Sequence, residues 1–401
     1  MAARAEQDRV RIVTFLRDII RIPSLSGQEE AVVRRIAAEM QSLDVFDEIG
    51  FDALGNVVGR WGTGPLTIMF DAHVDVVDTG DRARWEHDPF AAEMDGGHIY
   101  GRGATDEKPA IACMTYALTL LPRALRDTVT VYVVGSVLEE DCDGYPLRHL
   151  IEHEGLRPDC VILGEPTDLN VYRGQRGRME ITMGINGIAA HGAHCDRGDN
   201  AIYRMAAVVR EIQELHSHLP YDRLLGKGSI TASRIESTSP SLCSVADTCT
   251  LYLDRRLTRG ETADSALKQL AELPGARAHN ARVAVRRYTG TSWTGLPVEQ
   301  EAYFPAWVLD DDHPLVQAAM AAAGEVNPTP PRLGVWTFST NGVATMGRHG
   351  IPTIGYAPGR EQDAHTVHES VHVDDLITAT RFYARVVERL SASDTIHNHP
   401  R

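Results

Sequence analysis

The run Leu66-Thr67-Ile68-Met69-Phe70-Asp71-Ala72-His73-Val74-Asp75 constrains the chain most, because an apolar stretch between Gly64-Pro65 and Thr79-Gly80 ends there in a His-x-Asp pair. A run of that length between turn residues predicts a buried core strand carrying His73 out at its carboxyl end. Open α/β sheets collect their functional groups at that edge. A neutral imidazole ligates metal, and a carboxylate two residues on can orient the ring and raise its basicity. By itself such a pair is more often a hydrogen-bonded structural pair than a metal site, so the rest of the chain has to supply its company.

With 401 residues, two domains are expected rather than one simple core. Hydrophobic residues at 43% and charged residues at 24% fit a globular protein and argue against disorder or a fibrous repeat. The net charge of -15 repels phosphates, which makes nucleic acid and anionic membrane poor partners. Six cysteines lie scattered without a Cys-x-x-Cys pair, as expected of a reduced, cytoplasmic protein. The amino terminus runs into charged, helix-like sequence without an apolar signal region, and no apolar stretch reaches membrane-spanning length.

Along the chain, residues 10–20 have helical spacing and stop before Pro23, and Ser26 with Glu29 has the form of a capping box ahead of Val32, Ile36 and Met40. Residues 56–60 and the His73 run are expected as adjacent strands joined by the turn Gly62-Thr63-Gly64-Pro65. Residues 110–121 predict a buried helix preceded by Asp106. Strands over 128–138 and 160–164 end in Glu139-Glu140 and Glu165. From Arg178 the pattern changes to strand, helix, strand, strand, helix, strand, which points to a compact α+β insert over 178–288 between two parts of one domain, 1–177 and 289–401. The tail 397–401 reads as a frayed end.

Strand ends and adjoining loops thus deliver His73, Asp106, Glu140, Glu165 and His365, a nitrogen and carboxylate set suited to a pair of divalent ions. Glu139, beside one of them, is placed for general-base work.

These residues carry a resemblance. Met69-Phe70-Asp71-Ala72-His73-Val74-Asp75, Gly101-Arg102-Gly103-Ala104-Thr105-Asp106-Glu107-Lys108, Glu139-Glu140, Gly164-Glu165-Pro166-Thr167 and His365-Thr366-Val367-His368-Glu369 resemble, in order, the five motifs of one family. It is the dinuclear zinc family of acetylornithine deacetylase, succinyl-diaminopimelate desuccinylase, aminoacylase and glutamate carboxypeptidase. Asp141-Cys142-Asp143-Gly144 and the run from Trp336 to Gly342, with Asn341 as a substrate contact, look most like its branch of selenium-metabolism hydrolases. The resemblance implies a zinc-exopeptidase-like catalytic domain, a mixed sheet flanked by helices, with an inserted ferredoxin-like lid and dimerisation domain. It implies two divalent ions per chain, zinc foremost and cobalt or manganese feasible, bridged by Asp106. His73 and Glu165 would complete one site, and Glu140 and His365 the other. Asp75 would hold the His73 ring, His191 would reach the reacting carbonyl from the lid, and Arg256 would receive a substrate carboxylate. The implied reaction is hydrolysis of an amide, peptide or ureido C–N bond in a small carboxylate-bearing substrate by a homodimer. The chain departs from the family at Cys243, where asparagine is usual, and at His368, where asparagine is common; His194 also lies close to His191.

Two other readings compete. His149-Leu150-Ile151-Glu152-His153 fits the inverted-zincin pattern, against a plain solvated helix. A metal- or peptide-binding protein without turnover is the second, and Glu139 argues against it, since binding alone needs no spare carboxylate beside a ligand.

Overall fold

The computed structural model describes residues 1–392, so the tail 397–401 lies outside the described residues. The strand Leu66–His73 lies inside a nine-stranded sheet, parallel to Val129–Ser136 on one side and Cys160–Leu163 on the other. Thr353–Gly355 extends the parallel centre beside Cys160–Leu163. Antiparallel strands finish the sheet: Val57–Trp61 and Glu48–Phe51 at one end, Val171–Gln175 and Trp307–Val308 at the other. The sheet is therefore mixed. The expected adjacency of Val57–Trp61 and Leu66–His73 is not formed, because Val129–Ser136 lies between them. A short connection permits a hairpin but does not stop a later strand from entering.

Side chains alternate across this sheet, as the strand repeat requires. Ile68, Phe70 and Ala72 face one layer, whose helices Ala2–Ile20, Lys108–Leu120, Pro314–Val326 and Val373–Ser391 pack on one another. Met69, Val134, Val161 and Leu163 face the other, under Tyr145–Glu152 and Gly342–His349. Both faces being covered, the strand can be apolar throughout. Phe70 packs against Tyr383 at 5.2 Å between ring centroids, and truncating a ring buried this way typically costs about 3–5 kcal/mol.

The capping box expected at Ser26 and Glu29 does not form. The helix Glu30–Ser42 has no side-chain cap. Ser26 Oγ instead donates to Asp75 Oδ2 at 2.7 Å, and Glu29 accepts from the backbone N–H of Gly27 and of Leu138. Tertiary acceptors have taken both groups.

The insert has its own core, running from Met179 to Ala276. Its strands lie in the order Ser229–Thr238, Thr248–Leu257, Gly177–Asn186, Arg282–Val285, all antiparallel, with the helices Ala201–Ser217 and Ala263–Ala271. This is the ferredoxin-like order. Gly177–Asn186 alternates buried and half-buried residues as its sequence predicts, and Asn200 caps the first helix through the Ile202 N–H at 2.9 Å. Beyond residue 288 the chain touches this sheet once more, Tyr303–Phe304 pairing with Arg178 and Met179. Ser229–Thr238 is an outer strand whose residues from Thr231 onward are exposed.

Candidate metal centre

Parallel registry explains why distant residues meet. His73 stands opposite Ser136, so the loop after Ser136 brings Glu139 and Glu140 to the His73 end, and Gly164 N–H bonds to Asp71 O and starts Glu165 there too. The Asp106 loop is fixed by Glu369, a residue given no role in the sequence reading. Its buried carboxylate accepts from the backbone N–H of Gly103, Thr105 and Asp106 and from Arg102 Nη1 at 2.7 Å. Burial pushes Glu369 up to about 7, against the opposing pull of Arg102.

Asp106 spans the site. Its Oδ1 is 3.0 Å from His73 Nε2 and its Oδ2 is 3.2 Å from His365 Nε2. His365 Nε2 also lies 3.0 Å from Glu140 Oε2. His73, Asp106 and Glu140 form one group of candidate ligand atoms within 4.8 Å of one another, and His73, Glu139 and Glu165 form a second. The five expected ligands and Glu139 thus converge. His368 does not: it is exposed, and its N–H bonds to Thr366 Oγ1.

The electrostatics of the site favours binding positive charge. Burial pushes the carboxyl groups of Glu139 and Glu165 well above the ordinary range, and neighbouring carboxylates push them further. Glu107, whose carboxylate accepts from the His73 N–H, is raised in the same way. Burial acts on Asp106 too, but the hydrogen bonds to His365 and His73 outweigh it and hold its carboxyl below the usual range. Those to Asp106 and Glu140 push His365 up to about 10. Glu139 Oε1 is buried with no hydrogen-bond partner. Crowded carboxylates and an orphaned oxygen around two imidazoles are what a pair of cations would relieve.

Asp75 does two jobs. Its Oδ1 and Oδ2 accept from the backbone N–H of Glu139 and Glu140, both at 3.1 Å, while its backbone O is 3.0 Å from His73 Nδ1. One buried carboxylate therefore sets the glutamate pair, and its residue also orients the ring. Leu138 and His365 sit at φ 64° and 61°, in a region that side chains other than glycine rarely adopt. Such positions collect at functional sites.

The centre opens into a cavity of about 430 Å³ lined by His73, Asp106, Glu139, Glu140, Glu165 and His365. Arg256 lines it as expected, and Asp143, Arg178, Ser339 and Glu361, which the sequence reading did not pick out for the site, line it too. Arg256 is held by Asp254 through Nε and Nη2 at 2.9 and 3.1 Å, so only its terminal edge is left for a ligand. Asn341 is put to another use than the expected substrate contact. Its buried amide donates to Asp71 Oδ2 and Ser136 Oγ and accepts from the Gly144 N–H, which consumes its polar atoms. His191 is exposed on the insert and does not line this cavity, and neither does Cys243, also exposed.

The rival histidines are set apart. His149 is buried with no hydrogen bond to either ring nitrogen, His153 is exposed, and the pair forms no candidate metal group among the described residues.

The family model of peptidase family M20/M25/M40 matches residues 69–389. The chain belongs to that family. The M20 chain is 44% identical to the uncharacterized protein YgeY of Escherichia coli K12 over 96% of this chain and 95% of that one. It is 26% identical to a succinyl-diaminopimelate desuccinylase of Magnetococcus marinus, over 94% and 98% of the two chains. Its fold matches the M20 family metallo-carboxypeptidase Sso-CP2 of Sulfolobus solfataricus with a TM-score of 0.72 at 16% identity, covering 95% and 99%. The Bacillus subtilis YXEP protein, a dinuclear metal binding peptidase from the M20 family, gives 0.70 at 15% identity, covering 95% and 98%. The M20 protein is accordingly a metal-dependent amidohydrolase by family. Among the described residues no helix is long and apolar enough to cross a membrane.

Proposed function

We propose that this chain hydrolyses an amide, peptide or ureido C–N bond in a small substrate bearing a free carboxylate. The observation that carries this reading is Asp106 reaching His73 with one oxygen and His365 with the other, beside the buried, unpartnered oxygen of Glu139. In it, two divalent ions would be held by His73 and Glu165 on one side and by Glu140 and His365 on the other, with Asp106 shared between them. Zinc suits two imidazoles among carboxylates, and cobalt and manganese suit them next. When bound, such ions polarise a carbonyl and lower the pKa of water.

The protein's own groups carry the protons. Glu139 removes one from the attacking water and returns it to the departing nitrogen, which leaves poorly unless protonated. Asp75 keeps Glu139 and Glu140 in place. Arg256, with Arg178 beside it, receives the substrate carboxylate and seats the scissile bond over the ligands. His191 donates to the developing oxyanion. Its absence from the cavity of its own chain favours supply by a second copy. Exposed Ile188, Tyr203, Ile235 and Leu242, all within 178–288, and the open strand Ser229–Thr238 support a homodimer formed through that lid domain. Six unpaired cysteines favour the cytoplasm.

The test is Glu139→Gln in zinc-loaded protein, against N-acyl amino acids, dipeptides and ureido acids. The variant keeps its metal and loses about 10²–10⁴-fold in turnover. Undiminished turnover would remove Glu139 as the base.

A further inference from the structure

Outside the candidate ligands and Glu139, the charged side chains lining the cavity are Asp143, Arg178, Arg256 and Glu361. Three of them are satisfied inside the protein. Arg178 Nη2 meets Asp143 Oδ1 at 3.0 Å, and Arg256 is held by Asp254. Glu361 differs. Thr337 Oγ1 donates to its Oε1 at 2.7 Å, and among the described residues it has no cationic partner. The threonine hydroxyl fixes the carboxylate without neutralising it.

Position adds to this. Arg178 and Arg256 come from the insert sheet, whereas Glu361 stands in the turn Glu361–Asp363 on the loop that leads to His365. The cavity thus has cations on one wall and an unpaired anion on another, with the candidate ligands also in its lining. Ions at the centre would offset Asp106, Glu140 and Glu165, which are their ligands, but Glu361 belongs to neither ligand group. A half-buried carboxylate held in place beside an already acidic centre is stabilised when a ligand brings the opposite charge.

Resting on the hydrolase reading above, we propose that Glu361 is a specificity residue that receives a substrate ammonium group, and that the substrate is a zwitterion. Its carboxylate lies at Arg178 and Arg256, and its ammonium lies across the scissile bond at Glu361. The class is aminoacyl amides of the dipeptide kind, in preference to N-acyl acids whose acyl part is neutral.

Matched pairs that differ only in the amino group test this, such as alanyl-leucine with propionyl-leucine, extended over several carboxyl-side residues. With zinc-loaded wild type, kcat/KM favours the ammonium member by about 10–100-fold, the usual worth of a charge-assisted hydrogen bond. In Glu361→Gln that ratio falls toward one, Glu361→Asp keeps part of it, and metal content is unchanged. Equal rates for both members in wild type, or a ratio that survives Glu361→Gln, would overturn the assignment. So would loss of metal from Glu361→Gln, which would make it a ligand. Binding of the same pairs to Glu139→Gln, with and without Glu361→Gln, is read by calorimetry without turnover. If wild type hydrolyses no pair, the hydrolase reading fails by itself, while the ratio of Kd values still decides the role of Glu361.

Discussion

Arg178 and Arg256 stand directly opposite each other on the paired strands Gly177–Asn186 and Thr248–Leu257, and both line the cavity. Like charges on one rung of a ladder repel. Asp143 and Asp254 offset part of that repulsion, and a bound carboxylate would offset the rest. The two substitutions should therefore differ. Arg256→Ala leaves only half-exposed Asp254 without its partner, so KM for a carboxylate substrate should rise about 10–100-fold with little loss of stability. Arg178→Ala leaves buried Asp143 with the Ser339 hydroxyl but no ion-pair partner, and should cost about 1–3 kcal/mol in denaturant unfolding as well. Equal KM for a substrate and its carboxamide in wild type would remove both arginines from substrate binding.

Asp75 is the hinge between His73 and the Glu139-Glu140 pair. Asp75→Ala strips the acceptor from the buried Glu139 N–H, worth about 1–3 kcal/mol when left unsatisfied, and from the half-buried Glu140 N–H, worth less. Metal affinity should fall about 10–100-fold, as it does when the partners of ligating residues are removed. Zinc titration of the metal-free variant checks this, and affinity unchanged from wild type would confine Asp75 to a packing role.

The open strand Ser229–Thr238 and exposed Ile235 predict association through the insert. Ile235→Lys places a charge on that surface and should shift the protein toward monomer in sedimentation. If His191 acts across the interface, activity falls with the dimer, and mixing Glu139→Gln with His191→Ala restores part of it after subunit exchange. A monomeric variant with full turnover would place the oxyanion donor within its own chain.

Much of this centre was legible because strand ends deliver it. The apolar run before His73, the β-branched run before Glu139 and the short run before Glu165 announce three parallel strands, and parallel strands align their carboxyl ends without further information. The alternation of Gly177–Asn186 was legible from period. What failed depended on partners distant in sequence. Ser26 and Glu29 make a good local cap, but Asp75 and Leu138 N–H compete for them and win. Asn341 is expected as a substrate contact with the motif that carries the resemblance, and its amide is spent on Asp71, Ser136 and Gly144. Arg178 opens a strand and Glu361 begins a short turn, and neither position carries a local signal of the cavity they share.

As a ligand, His365 would make metal binding depend on pH in a definite direction. The hydrogen bonds to Asp106 and Glu140 hold the His365 pKa at about 10 without metal, so at neutral pH the ring is protonated and a cation must displace that proton. Zinc affinity should therefore rise with pH up to about 10, and zinc binding at pH 7.5 should release protons, measurable by calorimetry in buffers of different ionisation enthalpy. Metal-free stability runs the other way. A histidine whose pKa is raised by folding stabilises fully below its unfolded value, about 6.5, and loses that contribution as pH rises through 10. His365 is 53% exposed by side chain, so solvent screening makes this contribution small. Asp106→Asn removes the partner that raises the ring's pKa most, and should lower both the proton release and the slope of affinity with pH. Proton release identical in Asp106→Asn and wild type would show that His365 is not the group displaced.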